Sequence, residues 1–195
     1  MCIRDSHKDI NKIAFTGSTQ VGKLIQKSLA GRDVGLTLEL GGKAANIVYE
    51  DAAIDQAVEG VVNGIFFNQG HVCCAGSRLL LQESIHDEFV AKLEKRMQTL
   101  RVGNPLDKNT DIGAINSKEQ LNKIEGLVNE GVSDGGKIFQ TECELPGNGF
   151  WFKPTLFTDV QPSYSIAREE IFGPVLTTLT FRTPQEAVEI ANNTE

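Results

Sequence analysis

The chain alternates short apolar runs with longer stretches whose apolar positions recur every three or four residues. Ile13-Ala14-Phe15 is a short run ended by Thr16-Gly17-Ser18-Thr19; Val21, Leu24, Ile25, Ser28 and Leu29 then follow at helical spacing. Ser18 or Thr19 suits the N-cap of that helix, and Gly31 its end. The unit predicts a strand, a tight glycine turn and a helix. Val34 to Leu40 reads as a strand ending at Gly41-Gly42, and Ala45 to Tyr49 as another. From Ile54 to Phe67 the spacing is helical, through Val58, Val61, Val62, Ile65 and Phe66, and it runs into a turn at Asn68-Gln69-Gly70. Arg78 to Gln82 is a short buried strand. His86 to Leu100 is an amphipathic helix with Phe89, Val90, Leu93, Met97 and Leu100 inward.

Asn104-Pro105 opens a loop that lasts to about Ser117. A helix is expected over Lys118 to Glu130, a strand over Lys137 to Gln140, and a turn at Pro146-Gly147-Asn148-Gly149. Phe152 to Phe157 is strand-like but interrupted by Pro154. Val175 to Phe181 reads as a strand and Pro184 to Asn193 as a helix. Strands alternating with helices predict an α/β architecture with mainly parallel pairing.

Composition narrows the function classes. In 195 residues, 40% are hydrophobic and 19 are glycine, a composition that permits a sizeable core. The net charge of −7, with a pI of about 5.1, argues against nucleic acid or an anionic membrane as main partner. No run of about 18 apolar residues occurs, which excludes a membrane-spanning helix. The four cysteines (Cys2, Cys73, Cys74, Cys143) are too few for a disulfide scaffold. They form no CxxC pair, and His7, His71 and His86 stand far apart, so no metal site is expected. The first 25 residues carry no signal pattern, and a reducing cytoplasmic or organelle-matrix setting is the default, the cytoplasm being the expected one. Met1 to Ser6 show no periodicity and read as extraneous. Both ends read as cut.

Three local features can carry chemistry. In Phe15-Thr16-Gly17-Ser18-Thr19-Gln20-Val21-Gly22 a strand feeds a glycine turn into a helix N-terminus, where free N–H groups and the helix dipole favour a phosphate. The GxxxxG spacing is neither GxGxxG nor a Walker motif, and on spacing alone a plain strand–helix turn is the simpler reading. In Leu38-Glu39-Leu40-Gly41-Gly42-Lys43 a glutamate sits at an apolar strand end, a setting that suits general-base work; a surface carboxylate beside a turn is the plainer alternative. In Asn68-Gln69-Gly70-His71-Val72-Cys73-Cys74-Ala75-Gly76 two cysteines follow a helix and a turn, with small residues after them that let a substrate approach the thiol. Two ordinary buried cysteines are the alternative. A Cys73–His71 dyad is disfavoured by the i, i+2 spacing.

Taken together, the motifs resemble those of the NAD(P)-dependent aldehyde dehydrogenase superfamily. Leu38 to Lys43 matches its glutamate signature and Phe67 to Cys73 its cysteine signature, with Cys73 following Glu39 by 34 residues, as in that family. Phe15-Thr16-Gly17-Ser18 with Gly22 matches its cofactor turn, and Glu169-Glu170-Ile171-Phe172-Gly173-Pro174-Val175 its late cofactor motif. The resemblance runs from about His7 to Glu195. The family usually has Gln or Glu where His71 stands. Gln69 to Cys74 and Arg101 to Asp107 are also similar to family 16 within the superfamily.

The resemblance implies a mechanism. Cys73 would attack an aldehyde carbon to give a thiohemiacetal; hydride loss to NAD or NADP would leave a thioester, and Glu39 would activate the water that hydrolyses it to the acid. The Cys73 N–H would be one oxyanion donor, the family's second being an upstream asparagine. Thr16, Gly17, Ser18 and Gly22 would line the pyrophosphate, Glu170 would take the nicotinamide-ribose hydroxyls, and Phe172 would pack at the nicotinamide end. The presence of Glu39 favours hydrolysis over acyl transfer to coenzyme A.

The implied fold is the end of a Rossmann-like cofactor domain (1–41) followed by most of an α/β catalytic domain (42–195), with the nucleophile in the cleft between them. The expectation is an internal segment of a chain more than twice as long, homo-oligomeric at full length, and poorly soluble and inactive as the isolated piece. Two rival readings are a cysteine-dependent acyl hydrolase or transferase, which has no use for the Gly17–Gly22 turn or Glu170, and a non-catalytic subunit of the same fold.

Overall fold

The structure, a computed structural model, describes residues 6–194; the Met1 to Asp5 part of the stretch read as extraneous lies outside them. The chain divides into two compact units at Gly41–Gly42. In the first unit, β1 (Lys12–Thr16) and β2 (Gly35–Glu39) pair in parallel, from Lys12 opposite Gly35 to Thr16 opposite Glu39, and α1 (Thr19–Leu29) makes the crossover. Parallel strands need such a crossover because a tight turn reverses the chain. Ser18 caps α1, its Oγ accepting from Val21 N at 3.3 Å. The helix ends at Leu29 and Gly31 follows at φ +78°, a conformation that suits a residue without Cβ. Only Gly22, Ile25 and Leu29 form the buried stripe of α1; Val21 and Leu24, which share its spacing, remain exposed.

The second unit is a five-stranded sheet of order β3-β4-β7-β6-β5. Its elements are β3 (Ala45–Val48), α2 (Ile54–Phe66), β4 (Arg78–Gln82), α3 (His86–Met97), α4 (Lys118–Ser133), β5 (Lys137–Gln140), β6 (Thr155–Thr158), α5 (Ser165–Arg168), β7 (Val175–Phe181) and α6 (Pro184–Asn192). All pairings are parallel except β5 with β6, which is antiparallel. β4 and β7 are buried almost throughout, as internal parallel strands covered on both faces are. Strand alternation divides the core. Leu79 and Leu81 pack with Val58, Val61, Ile65, Phe89 and Leu93 of α2 and α3, whereas Leu80 packs with Leu179, Phe181 and Ala187. A further cluster joins Ile124 and Val128 of α4 to Phe157, Ile166 and Ile171.

Element boundaries depart from the sequence reading where backbone chemistry intervenes. α3 stops at Met97 because the N–H groups of Thr99 and Leu100 turn to the carbonyls three residues back, Arg96 and Met97. α4 continues past Glu130 to Ser133, with Gly131 against Ile166. Pro154 does not interrupt a strand but precedes one: β6 begins at Thr155, whose N–H donates to Pro174 O at 2.9 Å. The single turn of α5 is too short to show a period in the sequence.

Candidate active site

In the first unit the glycine turn and Glu39 lie side by side. Thr16 and Glu39 are opposite in the strand register, and Gly17 N–H donates to the Glu39 carbonyl at 3.0 Å. Both are thus at the carboxyl ends of parallel strands, where open α/β sheets carry their ligands. The Glu39 side chain is exposed rather than set in an apolar strand end, since β2 alternates exposed and half-buried positions and Glu39 falls on the exposed set. A Cβ on Gly22 would stand 2.6 Å from Leu40 Cδ2, so only glycine lets α1 approach the strand end so closely. Of the turn's N–H groups, Gly17 is taken by Glu39, Val21 by the Ser18 side chain and Gly22 by the Ser18 carbonyl. Thr19 and Gln20, at the first two positions of the helix, have no intrahelical acceptor for theirs. These donors, with the dipole behind them, fit an anionic group.

In the second unit the cysteines are presented by an unusual piece of backbone. Asn68, Gln69 and Gly70 all have positive φ (49°, 57° and 74°). Two such residues with side chains cost about 1–2 kcal/mol each, and local bonds hold them. His71 N–H donates to Asn68 O at 2.9 Å, Asn68 Nδ2 donates to His71 O at 3.1 Å, and Gln69 Oε1 accepts from Gly113 N at 2.9 Å. The chain then makes a β-turn closed by Ala75 N–H to Val72 O at 3.0 Å, with Cys73 and Cys74 at its two corners. Both thiols are exposed there, not buried among core side chains, and the closing bond leaves the Cys73 N–H unused. Gly76 N–H donates to Gly64 O at 3.3 Å, tying the turn to α2. Cys143 lies elsewhere, its Sγ 3.4 Å from Thr141 Oγ1.

The segment carrying Glu170 and Phe172 packs against this loop. Phe172 also has a positive φ (54°), and Gln120 Nε2 spans its strained backbone by donating to Ile171 O at 2.8 Å and Phe172 O at 3.0 Å. The His71 ring stacks on Phe172, with centroids 5.2 Å apart and planes 6° from parallel. His71 therefore faces the Phe172 loop, and burial lowers its pKa.

Glu170 is half-buried and acts electrostatically on Lys43, which is buried with no hydrogen-bond partner for its Nζ. Desolvation, reinforced by Arg78, pushes the Lys43 pKa down to about 7, and the Glu170 charge pulls it back up. Arg78 holds this region together, donating to the carbonyls of Lys43 (3.1 Å), Ile190 (2.8 Å) and Ala191 (2.8 Å). The sequence reading assigned no role to Lys43, Arg78, Gln69 or Gln120. Gln69 and Lys43 lie inside the quoted motifs. Arg78 and Gln120 act on carbonyls far along the chain and leave no local pattern.

Comparison with known proteins places the chain in a family. The "Aldehyde dehydrogenase family" profile matches residues 5–195. Human retinal dehydrogenase 2 is 49% identical over 195 residues, and human mitochondrial aldehyde dehydrogenase 46% over 189. Those alignments take in 97% and 96% of this chain but 37% of each relative, so the chain spans little more than a third of their length. Among solved structures, the NAD-dependent aldehyde dehydrogenase of Sinorhizobium meliloti superposes with a TM-score of 0.94 at 41% identity, covering 98% of this chain and 38% of that one. The NAD+ complex of an aldehyde dehydrogenase from Bacillus cereus gives 0.92 at 39%, covering 97% and 39%. With a profile that runs almost from end to end and a fold that superposes at this identity, the chain belongs to the aldehyde dehydrogenase family.

Proposed function

We propose that the protein to which this chain contributes oxidises an aldehyde to a carboxylic acid with NAD+ or NADP+, using Cys73 as nucleophile and Glu39 as general base. The observation that carries the reading is the β-turn that exposes Cys73 at its corner, braced by three left-handed residues and the Glu170–Phe172 loop. A fold needs no such strain to bury two ordinary cysteines. The relatives carry names of NAD-linked aldehyde oxidation, and the residues here suit that cofactor. The N–H groups of Thr19 and Gln20 and the Ser18 hydroxyl would meet the pyrophosphate, beside Thr16, Gly17 and Gly22. Glu170 would accept from ribose hydroxyls, and Phe172 would pack at the nicotinamide end. When bound, the nicotinamide accepts the hydride.

Cys73, as thiolate, adds to the carbonyl carbon, and its N–H stabilises the oxygen that gains charge. Once hydride has left, the acyl group stays on Cys73 as a thioester. Glu39 takes a proton from water, which attacks the acyl carbon and releases the acid and the thiolate. Residues through Gly41 would serve as cofactor domain and those from Gly42 as catalytic domain, in a homo-oligomeric cytoplasmic enzyme. In a full-length enzyme bearing this segment, Glu39→Ala is expected to slow steady-state turnover at least about tenfold while leaving the first burst of NADH largely intact. An unchanged steady-state rate sinks the base assignment, and loss of the burst assigns Glu39 an earlier step.

A further inference from the structure

His71 is the residue of the cysteine motif that the proposed chemistry leaves without a role. It stands two residues before Cys73, half-buried, and its buried Nε2 has no hydrogen-bond partner. A buried polar nitrogen left unpaired is destabilising, so a residue that only filled this space would gain by being apolar. What the imidazole does have is a face-to-face contact with Phe172 at 5.2 Å and 6°. Aromatic pairs of this kind are favourable beyond the area they bury.

Left-handed backbone adjoins one ring and carries the other. His71 follows the three left-handed residues Asn68 to Gly70, and its N–H and C=O are both held by Asn68. Phe172 is itself left-handed, with the carbonyls of Ile171 and Phe172 clamped by Gln120. The stack is a side-chain contact between these two loops. Burial disfavours the imidazolium and so favours the uncharged ring in this stack.

We infer that His71 is a positioning residue for the cofactor site: its ring, stacked on Phe172, fixes the orientation of that side chain and so couples the loop bearing the nucleophile to the loop that grips the nicotinamide end. This rests on the cofactor reading given above for Phe172. In this chain the coupling runs through the ring at position 71, where the family usually has Gln or Glu, and not through a charge or a hydrogen bond from the side chain.

The test is calorimetric titration of NAD+, and of NADP+ in parallel, into a full-length enzyme bearing this segment, alongside its His71→Gln, His71→Phe, Phe172→Leu and His71→Gln/Phe172→Leu forms. Thermal melts accompany each. His71→Gln, which keeps polarity and loses the ring, is expected to weaken cofactor binding about three- to tenfold and to raise the cofactor KM more than it lowers kcat. His71→Phe restores binding to within about twofold. The double variant loses no more than the worse single one, because both act through one contact. Wild-type binding by His71→Gln, failure of His71→Phe to restore it, or additive losses in the double variant each overturn the proposal. If the unsubstituted enzyme binds neither cofactor, the function reading fails and takes this one with it. Binding by the wild type with no effect at position 71 removes this one alone.

Discussion

Gly70 backs directly onto the carbonyl of Gly173, so that a Cβ added to Gly70 would overlap that carbonyl and stand 3.1 Å from Ile65 O. The two loops that carry the candidate chemistry touch backbone to backbone at this point. Gly70→Ala has to accept both a φ of +74° and a clash with main chain that no rotamer relieves. A loss of about 3 kcal/mol or more is expected in chemical denaturation. Gly126→Ala, inside α4 with open space around the new methyl, should instead gain about 0.5–1 kcal/mol. Equal effects at the two sites contradict this reading of Gly70.

Lys43 should make stability depend on pH. Its folded pKa of about 7 lies below the ordinary 10.5, so between those values the unfolded chain binds a proton that the folded chain does not. Stability from this group therefore rises with pH from about 7 to 10.5 and is lowest below 7, where the charged ammonium must be buried. Lys43→Met removes that cost. It is expected to stabilise by about 3–5 kcal/mol below pH 7, with the gain shrinking as pH approaches 10.5. Denaturation midpoints at pH 6 and 10 check it; an equal gain at both refutes the titration.

Arg78→Met leaves three carbonyls, of Lys43, Ile190 and Ala191, without their donor. The end of α6 should loosen, with a cost of about 2–4 kcal/mol. The same change withdraws one of the charges that depress Lys43, so the rising limb of the pH–stability curve moves to higher pH. Hydrogen exchange of the amides at the α6 C-terminus reads the first effect, and the displaced curve reads the second.

The two adjacent thiols should separate cleanly. Both are exposed at corners of one turn, so accessibility does not distinguish them. The motif spacing does. Cys73→Ser in the full-length enzyme is expected to abolish the NADH burst, whereas Cys74→Ser retains it within about threefold. Mass mapping after mechanism-based acylation should find the label on Cys73. Label on Cys74 alone would transfer the nucleophile role to it.

Much of this protein was legible along the chain. The strand, glycine turn and helix from Lys12 to Leu29 appear where period and capping put them, with Ser18 rather than Thr19, the other candidate, as the cap. The buried strands β4 and β7 follow from unbroken apolar runs. These features depend on interactions within a few residues, which is why a local pattern records them. The Glu39, Cys73 and Glu170 motifs pointed to the family for the same reason, being contiguous stretches of characteristic residue types.

What the chain could not specify locally is where side chains act across large separations. Nothing near Gln120 announces that its amide clamps Phe172, nor near Arg78 that its guanidinium binds α6 carbonyls more than a hundred residues later. The left-handed run before the cysteines is affordable only because Gly113, Asn68 and the Gly173 backbone are already in place around it. The sequence by itself determined most of the elements and the family. Tertiary structure alone decided the exposure of Cys73 and Glu39, the burial of Lys43 and the stacking of His71, because burial and strain depend on which distant segments meet.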